Sequence, residues 1–408
     1  MSHEPEAAGT QYSVLSTQYG NELPDSSVLA EEARSWNSVY VHIPFCARRC
    51  PYCDFAVVAA DEAGGPDIER YVDALIAEIG MELDPSEVHA VNFGGGTPTQ
   101  LRPGDLARII DALDAQFGIA DGAEISIEAN PEDWTLAFGR DLRRIGFNRV
   151  SFGIQSFDPV VLEALGRVHT PRDAREAFTA ARSADFSNIN IDLIYGAPEE
   201  TDESWRRSVE RAIDLEPDHL SAYALTVEGG TALSRAVLAG APAPDPDEQA
   251  DRYEHLDEAA LSAGLVRYEL SNWARPGQSC RYNLSTWMMG EFSAFGTGAH
   301  DHRNGVRARN IRRLDAYLHQ VEEGVRPRSG SECLDEFESE RERFTVGLRL
   351  AAGVQPGAIG GPFMASDGGR RLVDAGVVGV RDGRVVVLKP FLTDLVARSV
   401  LSVSPSDC

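Results

Sequence analysis

Val39-Tyr40-Val41-His42-Ile43-Pro44-Phe45-Cys46-Ala47-Arg48-Arg49-Cys50-Pro51-Tyr52-Cys53-Asp54-Phe55 runs from a short apolar segment straight into three cysteines. Val39–Ile43 has the length and β-branched content of a buried strand, and Pro44 breaks it. The same rhythm continues outward. Val91–Phe93, Ile125–Glu128, Val150–Phe152, Ile189–Leu193 and Leu220–Ala224 are further short apolar runs. Between them lie helical stripes: Tyr71, Leu75, Ile76 and Ile79; Leu106, Ile109, Ile110 and Leu113; Leu136, Leu142 and Ile145; Trp205, Val209, Ala212 and Ile213. Strand–helix alternation of this kind predicts an α/β fold, a parallel sheet closed or nearly closed, in the form of a partial (β/α)6 barrel. Its chemistry is then expected at the C-terminal ends of the strands.

The cysteines sit at such an end, spaced C-x3-C-x2-C as Cys46, Cys50 and Cys53. Three thiolates within eight residues can converge on one metal centre. A [4Fe–4S] cube on three thiolates leaves one iron open, as a substrate-binding cluster requires. A structural zinc ion wants four protein ligands, and His42 is the local candidate for the fourth. Three independent free thiols are the remaining alternative. Cys280, Cys333 and Cys408 are expected to play no part in the centre.

Composition narrows the rest. The chain has 408 residues, 43 % of them hydrophobic and 25 % charged, which excludes a disordered chain and a disulfide mini-scaffold. No spanning segment and no secretory leader are read from it, so a cytoplasmic place is expected. The net charge of −26 disfavours a nucleic-acid partner. The densest basic group is Arg303, Arg307, Arg309, Arg312 and Arg313, read as a solvated helix approach rather than a binding stripe. Four regions are expected: a flexible arm at 1–37, the barrel core at 38–240, an aromatic and glycine-rich extension at 241–330, and a small module at 331–408. In the last, two helices and a hairpin turning at Asp382-Gly383 form a winged-helix-like α+β unit.

The string from Tyr40 to Phe55 resembles the radical S-adenosylmethionine (SAM) superfamily. More narrowly it is similar to the branch that holds oxygen-independent coproporphyrinogen III oxidases and the heme chaperones of the HemW family. The resemblance implies that Cys46, Cys50 and Cys53 hold a [4Fe–4S] cluster whose open iron chelates SAM, and that an electron from the cluster can cleave SAM to a 5′-deoxyadenosyl radical. Gly94-Gly95-Gly96-Thr97-Pro98-Thr99 is by its residues a turn, since no Gly-Lys-Ser/Thr follows to make it a phosphate loop. The resemblance makes it the SAM-ammonium turn, with Gly95, Gly96 and Thr97 as contacts. Glu128, Gln155, Arg167 and Asp192 match further SAM-pocket positions, and Arg suits the SAM carboxylate through its planar fork. Tyr40, Tyr52 and Thr226 match weaker ones.

Two outcomes share this scaffold. The oxidases carry a fourth cysteine two residues after the third; here that residue is Phe55. The chaperones carry a heme-binding signature, H-N-x-x-Y-W. Here the stretch reads Tyr282-Asn283-Leu284-Ser285-Thr286-Trp287, so Asn283 and Trp287 match while Tyr282 replaces the His and Thr286 the Tyr. The expectation is therefore a heme chaperone that delivers heme to client hemoproteins and draws on an electron donor, with a coproporphyrinogen oxidase as the alternative. Its heme contacts would be Tyr282 as first choice of axial ligand, Cys280 as second, then Asn283 and Trp287. Trp273 would supply a further aromatic wall, Arg275 and Arg281 would face the propionates, and His300 stays open as a ligand. No catalytic side chain is assigned, and a dimer is allowed.

Overall fold

The structure, a computed structural model, describes residues 32–60 and 67–407. The expected arm lies outside the described residues up to residue 31. Its described end is docked: Ala33 is fully buried, and the Trp36 carbonyl accepts a hydrogen bond from Ser285 Oγ at 3.1 Å.

Sixteen strands are described: β1 (Ser38–Ile43), β2 (Phe45–Cys46), β3 (Val58–Ala59), β4 (Val88–Gly95), β5 (Ile119–Ala129), β6 (Arg149–Gln155), β7 (Asn188–Tyr195), β8 (His219–Ala224), β9 (Val266–Glu269), β10 (Asn272–Ala274), β11 (Phe292–Phe295), β12 (His300–Arg303), β13 (Val306–Asn310), β14 (Arg328–Cys333), β15 (Val378–Arg381) and β16 (Arg384–Val387). Twelve form one sheet in the order β14-β13-β12-β11-β1-β4-β5-β6-β7-β8-β10-β9. From β11 to β8 every pairing is parallel. The six apolar runs read from the sequence are β1, β4, β5, β6, β7 and β8. Along each run the apolar residues enter the core, while the polar residues between them stand on the opposite face, where Ser126, Ser151, Asn190, Asp192 and Ser221 line a cavity. The crossover helices include Ile68–Ile79, Pro103–Phe117, Leu136–Ile145, Pro171–Ser183 and Asp202–Ile213. Several start on side-chain caps: Thr170 and Thr201 each close a capping box with the residue three positions on.

The sheet does not close. Antiparallel strands occupy both edges, β10 and β9 beyond β8, and β12 to β14 beyond β11. β1 pairs with β11 and β8 with β10, so their free edges are taken and the two cannot meet. The fold is thus an open, mixed α/β sheet with a parallel centre. One hydrophobic core runs from Val39 to Val321 between sheet and helices.

The C-terminal residues have a second core, from Phe344 to Val403. Helix Asp367–Asp374 leads into the β15–β16 hairpin, whose turn puts Asp382 at φ 51° and Gly383 at φ 76°, the left-handed pair of a tight hairpin. Helix Gly357–Ala365 was not legible as one, because three glycines and Pro362 interrupt it; burial of Ile359 and Phe363 holds it. The arginine cluster is also corrected. Arg303, Arg307 and Arg309 stand on the β12–β13 hairpin, turned at Asn304 and Gly305, while Arg312 and Arg313 do lead into a helix, Leu314–Glu322. Among the described residues no helix is long and apolar enough to cross a membrane.

Candidate cofactor and substrate site

A cavity of about 590 Å3 opens where the parallel strands end. That is within the usual range for a small-molecule site. Cys46, Cys50, Cys53 and Tyr52 line its mouth. Gly95, Gly96 and Thr97 from the end of β4, Glu128 from β5, Gln155 from β6, Asp192 from β7 and Thr226 beyond β8 line its walls, with Arg167. Cys280 and Asn283 line its far end, beside Arg149 at the start of β6. Tyr40, Tyr282 and Trp287 are outside it. Tyr40 lies behind the wall, its hydroxyl 3.3 Å from His42 Nδ1.

The glycine turn is forced by close approach. A Cβ on Gly96 would lie 2.8 Å from the Phe45 carbonyl oxygen, and Gly95 stands at φ 108° with the His42 ring where its Cβ would go. The turn is pinned to the cysteine loop, since Gly96 N–H donates to the Ile43 carbonyl at 2.8 Å and Thr97 N–H to the Phe45 carbonyl at 2.7 Å. Gly95 N–H also donates to Glu128 Oε2 at 3.2 Å. Burial first, and then the neighbouring Asp192, pushes the Glu128 carboxyl up to about 7 despite that bond. Asp192 is held by Ser151 Oγ at 2.8 Å and Asn190 Nδ2 at 2.7 Å, and burial raises its pKa as well. Two such carboxyls in one dry wall favour an incoming cation.

Arg167 supplies the opposite charge. Its Nη2 donates to the Gly153 carbonyl at 2.7 Å and to Asn130 Oδ1, and its Nη1 is 3.8 Å from Cys50 Sγ. Its Nε and the Gln155 Oε1 are buried without a partner. Gln155 also sits at φ 66°, next to a register shift between β6 and β7. Backbone strain at a strand end, beside an unsatisfied donor and acceptor, is the mark of a site built for a polar ligand.

Burial pushes the Cys46 thiol up to about 11, and the Cys53 thiol is raised for the same reason. His42 is already engaged: its Nε2 lies 2.8 Å from the Ala56 carbonyl and its Nδ1 faces Tyr40. It offers Cys46 no free ring nitrogen, which removes the local fourth ligand for zinc. Among the described residues no three His, Cys, Asp or Glu close around a single ion.

The sequence pattern of the Radical SAM superfamily matches residues 40–212. The chain is 41 % identical over 326 residues to the heme chaperone HemW of Mycobacterium tuberculosis, covering 79 % of this chain and 84 % of that one. The chain belongs to the HemW family of the radical SAM superfamily. It is also 34 % identical to the HemW of Bacillus subtilis, over 78 % of this chain and 84 % of that one. The solved coproporphyrinogen III oxidase of Escherichia coli shares the fold, with a TM-score of 0.76 and 24 % identity over 92 % of each chain.

The residues compared with the HemW heme signature lie on one short helix, Arg281–Trp287, which packs against the starts of the parallel strands. They face different ways. The Tyr282 ring stacks on Tyr40 at 5.9 Å, and burial raises its pKa, which disfavours the phenolate an iron ligand would need. Cys280, 5 % exposed, is pushed up to about 12 for the same reason. Trp287 is on the other side, in a separate groove. Trp273 is fully buried with Nε1 bonded to Asp257, Arg275 Nε donates to the Pro217 carbonyl at 3.0 Å, and Arg281 Nη1 donates to the Gly122 carbonyl at 2.9 Å. These side chains do not meet in one slot.

Three positioning residues were not singled out in the sequence: Asn130, which joins Arg167 to Thr97, and Ser151 and Asn190, which hold Asp192. Asn130 was within reach, two residues past Glu128 on the same strand end. Arg167→Ala is expected to weaken SAM binding by about 1.5–3 kcal/mol, the worth of a hydrogen bond to a charged group. Isothermal titration of the reconstituted protein checks it, and an unchanged Kd for both Arg167→Ala and Glu128→Ala would remove the pocket.

Proposed function

We propose that this protein is a cytoplasmic heme chaperone that holds a [4Fe–4S] cluster and SAM and passes heme to client hemoproteins. Cys46, Cys50 and Cys53 would hold the cluster. Gly95, Gly96, Thr97, Glu128, Gln155, Arg167 and Asp192 would hold SAM, with Tyr40, Tyr52 and Thr226 around them. Bound together, cluster and SAM supply one-electron chemistry, fed by an external donor protein. The chain's own part is to orient and to keep dry. Arg167 presents a fixed cation, Glu128 and Asp192 present carboxyls, and the glycine turn lets backbone groups approach the ligand.

The observation that favours chaperone over oxidase is Phe55. It is 59 % exposed and lines the cavity where the oxidases carry a fourth cysteine. The oxidase reading has the shared fold in its favour, and one experiment separates the two. Reconstituted protein is incubated anaerobically with ferric heme and, separately, with coproporphyrinogen III, SAM and a reductant. A saturable Soret band and no new porphyrin product are expected. Formation of protoporphyrinogen IX would overturn the chaperone reading.

A further inference from the structure

A second cavity, of about 610 Å3, lies outside the SAM pocket between the β12–β14 strands, Trp287 and the helix Glu336–Gly347. We infer that this groove is where heme docks, with the His302 imidazole as iron ligand and Arg309 at the propionate rim. The inference rests on the chaperone reading and gives its cargo a place.

A porphyrin needs a flat apolar slot, an axial donor and a cation at its edge. The slot is supplied by Trp287, Met289, Phe292 and Val346. The strand register supplies the rest. His302 pairs with Phe292 on one side and Arg307 on the other; His300 pairs with Arg309, which pairs with Gly330. Paired residues share a face, and residues two apart on a strand share it too. The two histidines and two arginines therefore share one face of the sheet, all four line the groove, and Gly330 leaves its floor without a side chain.

The polar groups are poised for a ligand. His302 Nδ1 and Trp287 Nε1 are buried with no hydrogen-bond partner. Met289 is held at φ 57°, strained for a non-glycine residue. The acids that line the groove are already paired: Glu332 and Glu342 with Arg307, Asp301 with Arg328. Arg309 is exposed and makes no ion pair among the described residues. In a chain of net charge −26, it is a cation left for an anionic edge. The guanidinium of Arg349, 4.3 Å above the Trp287 ring, braces the apolar wall from behind.

The test is a ferric-heme titration of the full-length, cluster-loaded protein, read by the Soret band and by Kd. His302→Ala should shift the band and weaken binding, and added imidazole should restore the band. Arg309→Glu, on the exposed rim, should weaken binding without moving the band. Tyr282→Phe and Cys280→Ser should change neither. Iron–sulfur content and melting temperature report whether each variant is folded. If His302→Ala and Arg309→Glu both bind like the wild type, the groove is not the site, while an intact wild-type band leaves the chaperone reading standing. Weak, unsaturable uptake that no variant alters means adventitious surface binding and overturns the assignment. A wild-type protein that takes up no heme defeats the chaperone reading and the groove together.

Discussion

Cys46→Ala, Cys50→Ala and Cys53→Ala are each expected to reduce iron, after anaerobic reconstitution, from about four per chain to near zero, with loss of the brown chromophore. The three thiols share one cavity mouth, and the loop that carries them has little else to bind a metal. Removing one leaves two thiolates on a cube that needs at least three, so the loss is of the whole cluster and not of a quarter of it. The Cys46 thiol, pushed up by burial, is neutral before ligation, so assembly must release its proton. Cys280→Ser and Cys333→Ser serve as controls. Cys280 is closed into the far end of the cavity and Cys333 is exposed on β14, so both should keep full iron content. Stoichiometric zinc without sulfide in the wild type would defeat the cluster assignment.

The parallel centre of the fold was legible because each of its strands carries apolar residues at every second position, with helical stripes between the strands. Ile189, Ile191 and Leu193, like Val150 and Phe152, are fully buried in the core, and the polar Asn190, Asp192 and Ser151 between them face the cavity. The antiparallel edges were not legible. β12 and β13 read His-Asp-His-Arg and Val-Arg-Ala-Arg-Asn, polar strands that lie at one face against a groove and give no apolar signal. Their pairing is set by the Asn304-Gly305 turn, a dipeptide that favours a two-residue hairpin, but without apolar alternation on either side it does not announce one. The open side of the partial barrel follows from these edges.

The SAM-type pocket was largely legible, because its residues stand one per strand end and the strands themselves were found. The residues of the proposed heme groove were not. The signature placed Tyr282, Cys280, Asn283 and Trp287 within eight positions, but a seven-residue helix turns such neighbours to opposite sides. His302 lies fifteen residues beyond Trp287, on a strand whose existence the sequence did not announce. Only the register of β11, β12 and β13 brings it to the same groove.

Gly96→Ala is expected to cost about 2–4 kcal/mol of stability and to abolish SAM binding, whereas Gly104→Ala should stabilise the protein by about 0.5–1 kcal/mol. The two glycines differ only in what surrounds them. Gly104 lies in the first turn of the helix Pro103–Phe117, and a Cβ there meets nothing within 4 Å. Adding it removes unfolded-state freedom at no steric cost. At Gly96 the Cβ would lie 2.8 Å from both the Pro44 carbonyl carbon and the Phe45 carbonyl oxygen, and 2.9 Å from the Ile43 carbonyl oxygen. These are backbone atoms and cannot swing away as a side chain would. Either β4 retreats, and the bonds from Gly96 and Thr97 to the cysteine loop lengthen, or the loop itself moves and displaces Cys46. Both routes disturb the glycine turn and the thiols together, so SAM affinity and iron content should fall in parallel. Urea melts of the apo proteins, with iron analysis and SAM titration of the reconstituted ones, separate the cases. Gly96→Ala with wild-type SAM affinity would mean that the turn does not contact the ligand.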